Sequence, residues 1–296
     1  MRPLALGLAL ALPAPALCQA GAGAELWRLA GTTLAVPAAL ATGSAAAFWN
    51  PAQSAGAFRG AVAVDAIETA AEVGASGVLF GARLATGRLG AIGLVGGEMS
   101  IGDLVTTSTS PTPDPGSIPF YALAVGATWA RRFGGADLGA TLALQDTRLD
   151  VNRSARATFD VGVSREFGRV RVAAATHFLS RLALNDPSQD LFAGVEYRFW
   201  EGTLWGVPQS VVRVRYGATL AHGYGADHAG GAGLDLGGRF SADALILYEG
   251  GYATGGFRAV GAVGVTIGRY RLALARDSGS NDVGGSFRVG LEARFQ

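Results

Sequence analysis

Apolar and polar residues alternate with a period of two along most of this chain. In Val211 to Leu220, VVRVRYGATL, the set Val212, Val214, Tyr216, Ala218 and Leu220 opposes Arg213, Arg215, Gly217 and Thr219. Successive side chains of a strand point to opposite faces, so the two sets meet different surroundings. The pattern recurs. Phe159, Val161 and Val163 oppose Asp160, Ser164 and Glu166. Val170, Val172, Ala174 and Phe178 oppose Arg169, Arg171 and His177. Val195, Tyr197 and Phe199 oppose Glu196 and Arg198, and Phe257, Val263, Val265 and Ile267 oppose Arg258 and Thr266. Near the C-terminus Phe287, Val289, Leu291 and Phe295 oppose Arg288, Glu292 and Arg294.

Segments of this kind fall at 58–67, 76–85, 89–100, 120–132, 137–148, 157–167, 169–180, 190–200, 210–221, 232–240, 242–250, 256–267, 269–277 and 286–296. Their number, fourteen, is even, and their length suits tilted strands that cross a bilayer in about 9–11 residues. Tight-turn signals at Thr86-Gly87-Arg88, Gly134-Gly135-Ala136, Gly168, Ser241 and Gly268 alternate with longer links at 68–75, 101–119, 149–156, 181–189, 222–231 and 278–285. Short and long connections alternate in this way in outer-membrane barrels. One link departs from the rule. Glu201 to Gln209, EGTLWGVPQ, is long at a position where a short turn is expected.

The ends sharpen this picture. MRPLALGLALALPAPALCQA has a basic start, an apolar run too short to span a bilayer, and a small-residue site after Ala20. It predicts a secretory signal peptide over residues 1–20. Cys18 is the single cysteine, so cleavage there leaves no disulfide, thiol nucleophile or cysteine-based metal site. After the leader no stretch of about 18 apolar residues occurs, although mean hydropathy is +0.29. The net charge of +1 gives no electrostatic footprint for nucleic acid. A soluble sandwich would also alternate, but its polar face would meet water and carry lysine. Every basic residue here is Arg, set among Asp, Glu, Gly, Ala and Thr. That composition fits a narrow lumen in which charges pair. The predicted fold is an all-β transmembrane antiparallel barrel of about fourteen strands, residues 58–296.

Residues 21–57 remain before the first strand. They are too few for a domain, and Trp27, Phe48 and Trp49 are their only large anchors. The stretch FWNPAQSAG reads as a fixed corner: Pro51 locks φ and holds Asn50 extended, and the Asn50 side chain can satisfy local backbone groups. The segment is expected to fold inside the barrel as a plug, with the corner launching the first strand.

These residues carry a resemblance. FWNPAQSAG, preceded by GTTLAVPAALATGSAAA, resembles the N-terminal hatch signature of the FadL superfamily, which includes fatty-acid transporters and the shorter PorV/PorQ-type proteins of type IX secretion. Phe48, Trp49, Asn50, Pro51 and Ala52 match. The family's acidic pair is replaced by Thr42, Gly43 and Ser44, and its following Gly by Gln53. The chain's length is nearer the PorV/PorQ type. The resemblance implies a fourteen-stranded barrel with a hatch formed by Trp27, Phe48, Trp49, Asn50, Pro51 and Ala52. It implies transport or a secretion-accessory role, with a secretion-system component or a hydrophobic small molecule as partner.

The chemistry searched for is absent from the sequence. His177, His222 and His228 have no zinc-site spacing, and there is no nucleophile elbow or phosphate-binding loop. No enzyme activity, cofactor or metal is expected. His222 and His228 are placed in an outer loop, and Thr106 to Pro119 in an exposed one. The expected lumen charges are Asp160, Glu166, Arg171, Glu196, Arg198, Arg213, Arg215, Arg258 and Arg288. Large apolar residues are few on the inner face; Leu79, Ile92, Leu94, Leu245 and Leu247 are the exceptions to follow. A fatty-acid path needs an apolar pocket there, so a charge-paired lumen favours the accessory role over a FadL-like ligand channel. A non-conducting structural barrel is the third reading. Location in a bacterial outer membrane, with membrane lipid and the barrel assembly machinery as partners, is common to all three. A terminal strand closing near Phe295 resembles the signal that machinery reads.

Overall fold

The structure is a computed structural model that describes residues 17–43, 45–56, 58–102, 104–105, 116–180, 189–221, 225–250, 256–279 and 284–295. Fourteen antiparallel strands close on themselves, each paired with its sequence neighbours and β1 with β14. They are β1 Gly60–Glu68, β2 Ala75–Ala85, β3 Ala91–Ile101, β4 Phe120–Phe133, β5 Ala136–Leu149, β6 Asn152–Phe167 and β7 Val170–His177. The second half comprises β8 Asp190–Leu204, β9 Val207–Ala221, β10 Ala226–Leu236, β11 Phe240–Glu249, β12 Gly256–Ile267, β13 Tyr270–Asp277 and β14 Phe287–Phe295. Closure removes the unpaired edges that an open sheet of this length would present. The alternating apolar set forms the outer wall, where Val62, Leu94, Val125, Leu144, Val214 and Leu291 are exposed. A continuous apolar exterior of this kind faces lipid in membrane barrels.

One end carries tight turns and both chain termini of the barrel. Gly134 and Gly135 connect β4 to β5 with φ of 55° and 84°, a left-handed pair that matches strand twist. Cations lie over rings at this turn end: Arg131 on Phe133 at 4.7 Å, Arg165 on Phe167 at 4.6 Å and Arg269 on Tyr270 at 5.0 Å. The opposite, loop end holds the connections after β1, β3, β5, β7, β9, β11 and β13.

Several boundaries differ from the sequence reading. EGTLWGVPQ is no loop. β8 and β9 run through it to a two-residue turn at Trp205 and Gly206, both with positive φ, after register shifts past Arg198 and Gly202. Residues 149–156 likewise hold only a turn at Asp150 and Val151, because β6 starts at Asn152. The segment expected at 232–240 is β10 at Ala226–Leu236, and its turn lies at Gly237-Gly238, which accept φ of 60° and 68°, rather than at Ser241. His228 therefore lies on β10, facing outward, with its Nδ1 2.7 Å from the Tyr216 hydroxyl. His222 and most of Thr106 to Pro119 lie outside the described residues. Ile92 and Leu94 face outward, whereas Leu79, Leu245 and Leu247 face the lumen. Phe178 was expected outside and is fully buried inside. Its φ of 59° breaks the alternation at the end of β7 and turns the ring onto His177.

Before the barrel come α1 Leu17–Gly31 and three short 3-10 turns, Ala38–Leu40, Ala45–Phe48 and Pro51–Ala55. The helix crosses the expected cleavage point after Ala20; residues 1–16 of the expected leader lie outside the described residues.

Candidate functional site

The interior is built by the segment between α1 and β1. Trp27, Phe48, Trp49, Asn50, Pro51 and Ala52 are all buried. Phe48 stands 5.1 Å from Trp27 and 5.2 Å from Trp49, and these rings meet wall residues of β7 and β8. His177 lies 5.0 Å from Phe48 and stacks on Phe178 at 3.6 Å, while Trp49 lies 6.2 Å from Phe192. Aromatic pairs at such separations add about 0.5–1.5 kcal/mol each beyond area burial. Phe178 is held in its left-handed conformation by its own N–H, which donates to Asp160 Oδ1 at 2.5 Å. Among the described residues the His177 ring nitrogens and Trp49 Nε1 are buried without a hydrogen bond. Asp160 Oδ2 lies 3.5 Å from His177 Nδ1, beyond good hydrogen-bond geometry.

The Asn-Pro corner docks in a notch. Asn50 Nδ2 donates to the Ala39 carbonyl at 2.7 Å, and Asn50 Oδ1 accepts from the Ala52 N–H at 3.0 Å. Opposite stand Gly139 of β5 and Gly162 of β6, direct cross-strand partners on the inner face. A Cβ on Gly162 would overlap Asn50 Oδ1 and stand 3.0 Å from both Ala52 N and Pro51 Cδ. One on Gly139 would overlap the Pro51 carbonyl. A second pair repeats the device: Gly194 of β8 faces Gly217 of β9, and they admit Leu40 and Pro37. The first notch lets backbone lie directly on the wall, and the second admits the side chains of Leu40 and Pro37. In the sequence the signal for these glycines is their place in the inward phase of the alternation.

The corner is also tied by ions. Arg171 Nη2 donates to Gln53 Oε1, and its Nε donates to Ser164 Oγ at 3.2 Å. Gln53, which departs from the hatch signature, thus links the corner to β7. Arg83 of β2 donates to the carbonyls of Ser54 and Gly56, each at 3.0 Å. Neither contact was anticipated.

All nine expected lumen charges lie on the inward phase of their strands. Arg215 bridges Glu196 at 2.6 Å and Asp243 at 2.5 Å. Arg258 pairs with Glu249 and, at 3.1 Å, with Asp277. Arg288 meets Asp65 at 2.6 Å, and Arg198 joins Glu166 at 3.3 Å near the turn end. Arg213 sits opposite Arg198 in the register. The pairing removes most isolated lumen charge, as a low-dielectric interior requires. Among the described residues no group of three metal-binding side chains occurs.

The inserted segment leans mainly on β1–β8 and meets the β9–β13 side only locally, where Pro37 enters the Gly217 notch and Ala35 packs on Leu245 and Val260. A cavity of about 350 Å³ opens there, toward the loop end. Leu29, Leu34, Val36, Phe192, Leu245 and Leu247 give it an apolar lining. Charged groups bound it: Arg28 of α1, paired with Glu25 at 2.5 Å and Asp190 at 3.0 Å, and the Arg258 cluster. The size lies at the small end of ligand pockets.

Comparison by sequence matches no protein family and no curated protein. Comparison by structure finds membrane barrels. The Ralstonia pickettii toluene transporter TbuX superposes with a TM-score of 0.54 at 13% identity, covering 86% of this chain and 96% of that one. The P. putida toluene transporter TodX gives 0.53 at 10% identity, covering 86% and 94%. At this identity the likeness establishes the fold that this chain shares with them.

Proposed function

We propose that this chain is an outer-membrane transport barrel that takes a small hydrophobic molecule into the cavity between its N-terminal segment and the β9–β13 wall. The cavity itself carries the reading: an apolar recess on the inner face of a barrel otherwise lined by paired charges. A lumen built only to be filled would not retain it. The shared fold with two toluene transporters and the FWNPA corner support the same assignment. The loop end faces the exterior, so the cavity is loaded from outside and the segment 21–57 acts as the hatch below it. Export by a cleaved leader and insertion by the barrel assembly machinery complete the proposal, which gives the chain no catalytic role.

The secretion-accessory reading drew on an inner face short of large apolar residues. Leu245, Leu247 and Phe192, gathered with Leu29 and Leu34, supply them, so the ligand-conducting reading takes precedence. The test is uptake of radiolabelled toluene by cells that express the chain behind a lipopolysaccharide outer membrane. Leu247→Trp fills the recess and is expected to cut protein-dependent uptake about tenfold. Unchanged uptake at equal surface expression would reject the cavity as the path.

A further inference from the structure

Six tight turns join strands at the turn end, and four of them carry the same dipeptide: Gly87-Arg88, Gly168-Arg169, Gly238-Arg239 and Gly268-Arg269. The left-handed φ of these glycines, 63°, 60°, 68° and 59°, accounts for the first residue of each pair. No contact within the turns accounts for the second. All four arginines are exposed, and among the described residues none of them pairs with a carboxylate. The carboxylates of this end are engaged elsewhere. Arg132 holds Asp137 at 2.8 Å, Arg198 holds Glu166 at 3.3 Å and Glu201 at 3.0 Å, and Arg294 holds Glu292 at 2.8 Å. Asp235 Oδ1 accepts the Gly238 N–H at 2.8 Å.

These turns lie between β2 and β3, β6 and β7, β10 and β11, and β12 and β13, so their cations ring the barrel. Arg131 on β4 and Arg165 on β6 add to the ring. A docked protein would meet one sector of it, whereas a lipid leaflet meets the whole. Arg131, Arg165 and Arg269 lie over the exposed rings of Phe133, Phe167 and Tyr270. The turn between β8 and β9 has no arginine and carries Trp205, 77% exposed. Aromatic side chains in such a girdle mark the headgroup level of a membrane barrel. A guanidinium stacked by its face keeps N–H groups along its edge for another partner. Arg269 donates one of its five to the Tyr270 hydroxyl at 2.7 Å.

From this we infer that the turn end is a collar for anionic phospholipid, whose phosphate takes bidentate bonds from the ringed arginines. Phosphatidylglycerol offers that phosphate with no cation of its own; phosphatidylcholine brings a choline that the ring repels. The inference concerns the outer wall, not the cavity. It takes from the proposed function only the orientation, which assigns the collar to the leaflet facing the cell interior.

The test reconstitutes the full chain in phosphatidylcholine vesicles and compares spin-labelled phosphatidylglycerol and phosphatidylcholine of equal chain length by electron spin resonance. One arginine near an anionic headgroup is worth about fivefold in affinity, so phosphatidylglycerol should be favoured about twofold or more when averaged over all boundary lipids in about 10 mM salt. The preference should shrink in about 1 M salt, where the screening length falls to about 3 Å. Replacing the four turn arginines together, by Arg88→Gln, Arg169→Gln, Arg239→Gln and Arg269→Gln, keeps every turn glycine and should remove most of it. Replacing three exposed loop-end arginines, by Arg148→Gln, Arg153→Gln and Arg276→Gln, should leave it unchanged. Equal association of both lipids with the unmodified protein at low salt overturns the collar and leaves the ring for a periplasmic polyanion. A preference that survives the turn substitutions, or falls as far with the loop-end ones, overturns it too. None of these results bears on uptake through the cavity.

Discussion

Gly162 is the position at which one methyl group should undo the docking of the N-terminal corner. In Gly162→Ala the new Cβ would overlap Asn50 Oδ1 and press Pro51 Cδ and Ala52 N from 3.0 Å. Retreat along the wall is blocked by the Pro51 backbone over Gly139. Asn50 must therefore leave the notch, and it takes with it the bonds to Ala39 O and Ala52 N–H. Each such bond contributes about 1 kcal/mol net, and a buried polar group left unpaired costs about 1–3 kcal/mol. The docked corner should lose about 2–4 kcal/mol, a shift of about 30- to 700-fold in its opening equilibrium. Hydrogen exchange reads that equilibrium directly. Peptides covering 46–56 should exchange faster by that factor, through the Asn50 N–H to Ala46 carbonyl bond and its neighbours. The strand amides of β5 and β6 should keep their protection. Gly261→Ala is the control, since its Cβ meets nothing within 4 Å. If Gly162→Ala exchanges like the control, the glycine notch does not hold the corner.

Two further outcomes follow from the lumen. Arg215→Leu leaves Glu196 and Asp243 buried without their shared cation, and breaking a buried pair in this way costs about 3–5 kcal/mol; the urea midpoint of unfolding should fall accordingly, and an unchanged midpoint would show the charges to be solvated. His177→Phe replaces a ring whose nitrogens lack partners with one of similar shape, so the same midpoint should hold or rise, and a fall of more than about 1 kcal/mol would reveal a partner for His177.

The fold was legible because the chain's two faces differ so strongly in polarity. Fourteen strands, their order and the inward phase of every expected lumen charge follow from alternation alone. It failed where contrast vanishes. Residues 229–233, AGGAG, have no polar or large apolar member to set a phase, and β10 was misplaced there. Pro208 and Gly206 read as a loop, yet the hairpin continues beneath them as a bulged ladder. Phe178 was misassigned because one left-handed residue reverses a face, and no pattern of neighbours announces it. The corner was recognisable from Phe48 to Ala52, but its seat was not. Gln53 and Arg171 are 118 residues apart, and the paired glycines of the notches become partners only once the register is known. The cavity was hidden for a similar reason: Leu29 and Leu34 come from the inserted segment and Leu245 and Leu247 from β11.

Single-channel conductance in planar bilayers tests the central claim most directly, by comparing the chain from residue 21 onward with one that also lacks residues 21–49. The account predicts a closed full-length barrel and steady openings after the deletion, because α1 and the Phe48–Trp49 pair occupy the lumen. Equal conductance from both proteins would contradict it and leave the Asn-Pro corner as a turn beside an open pore.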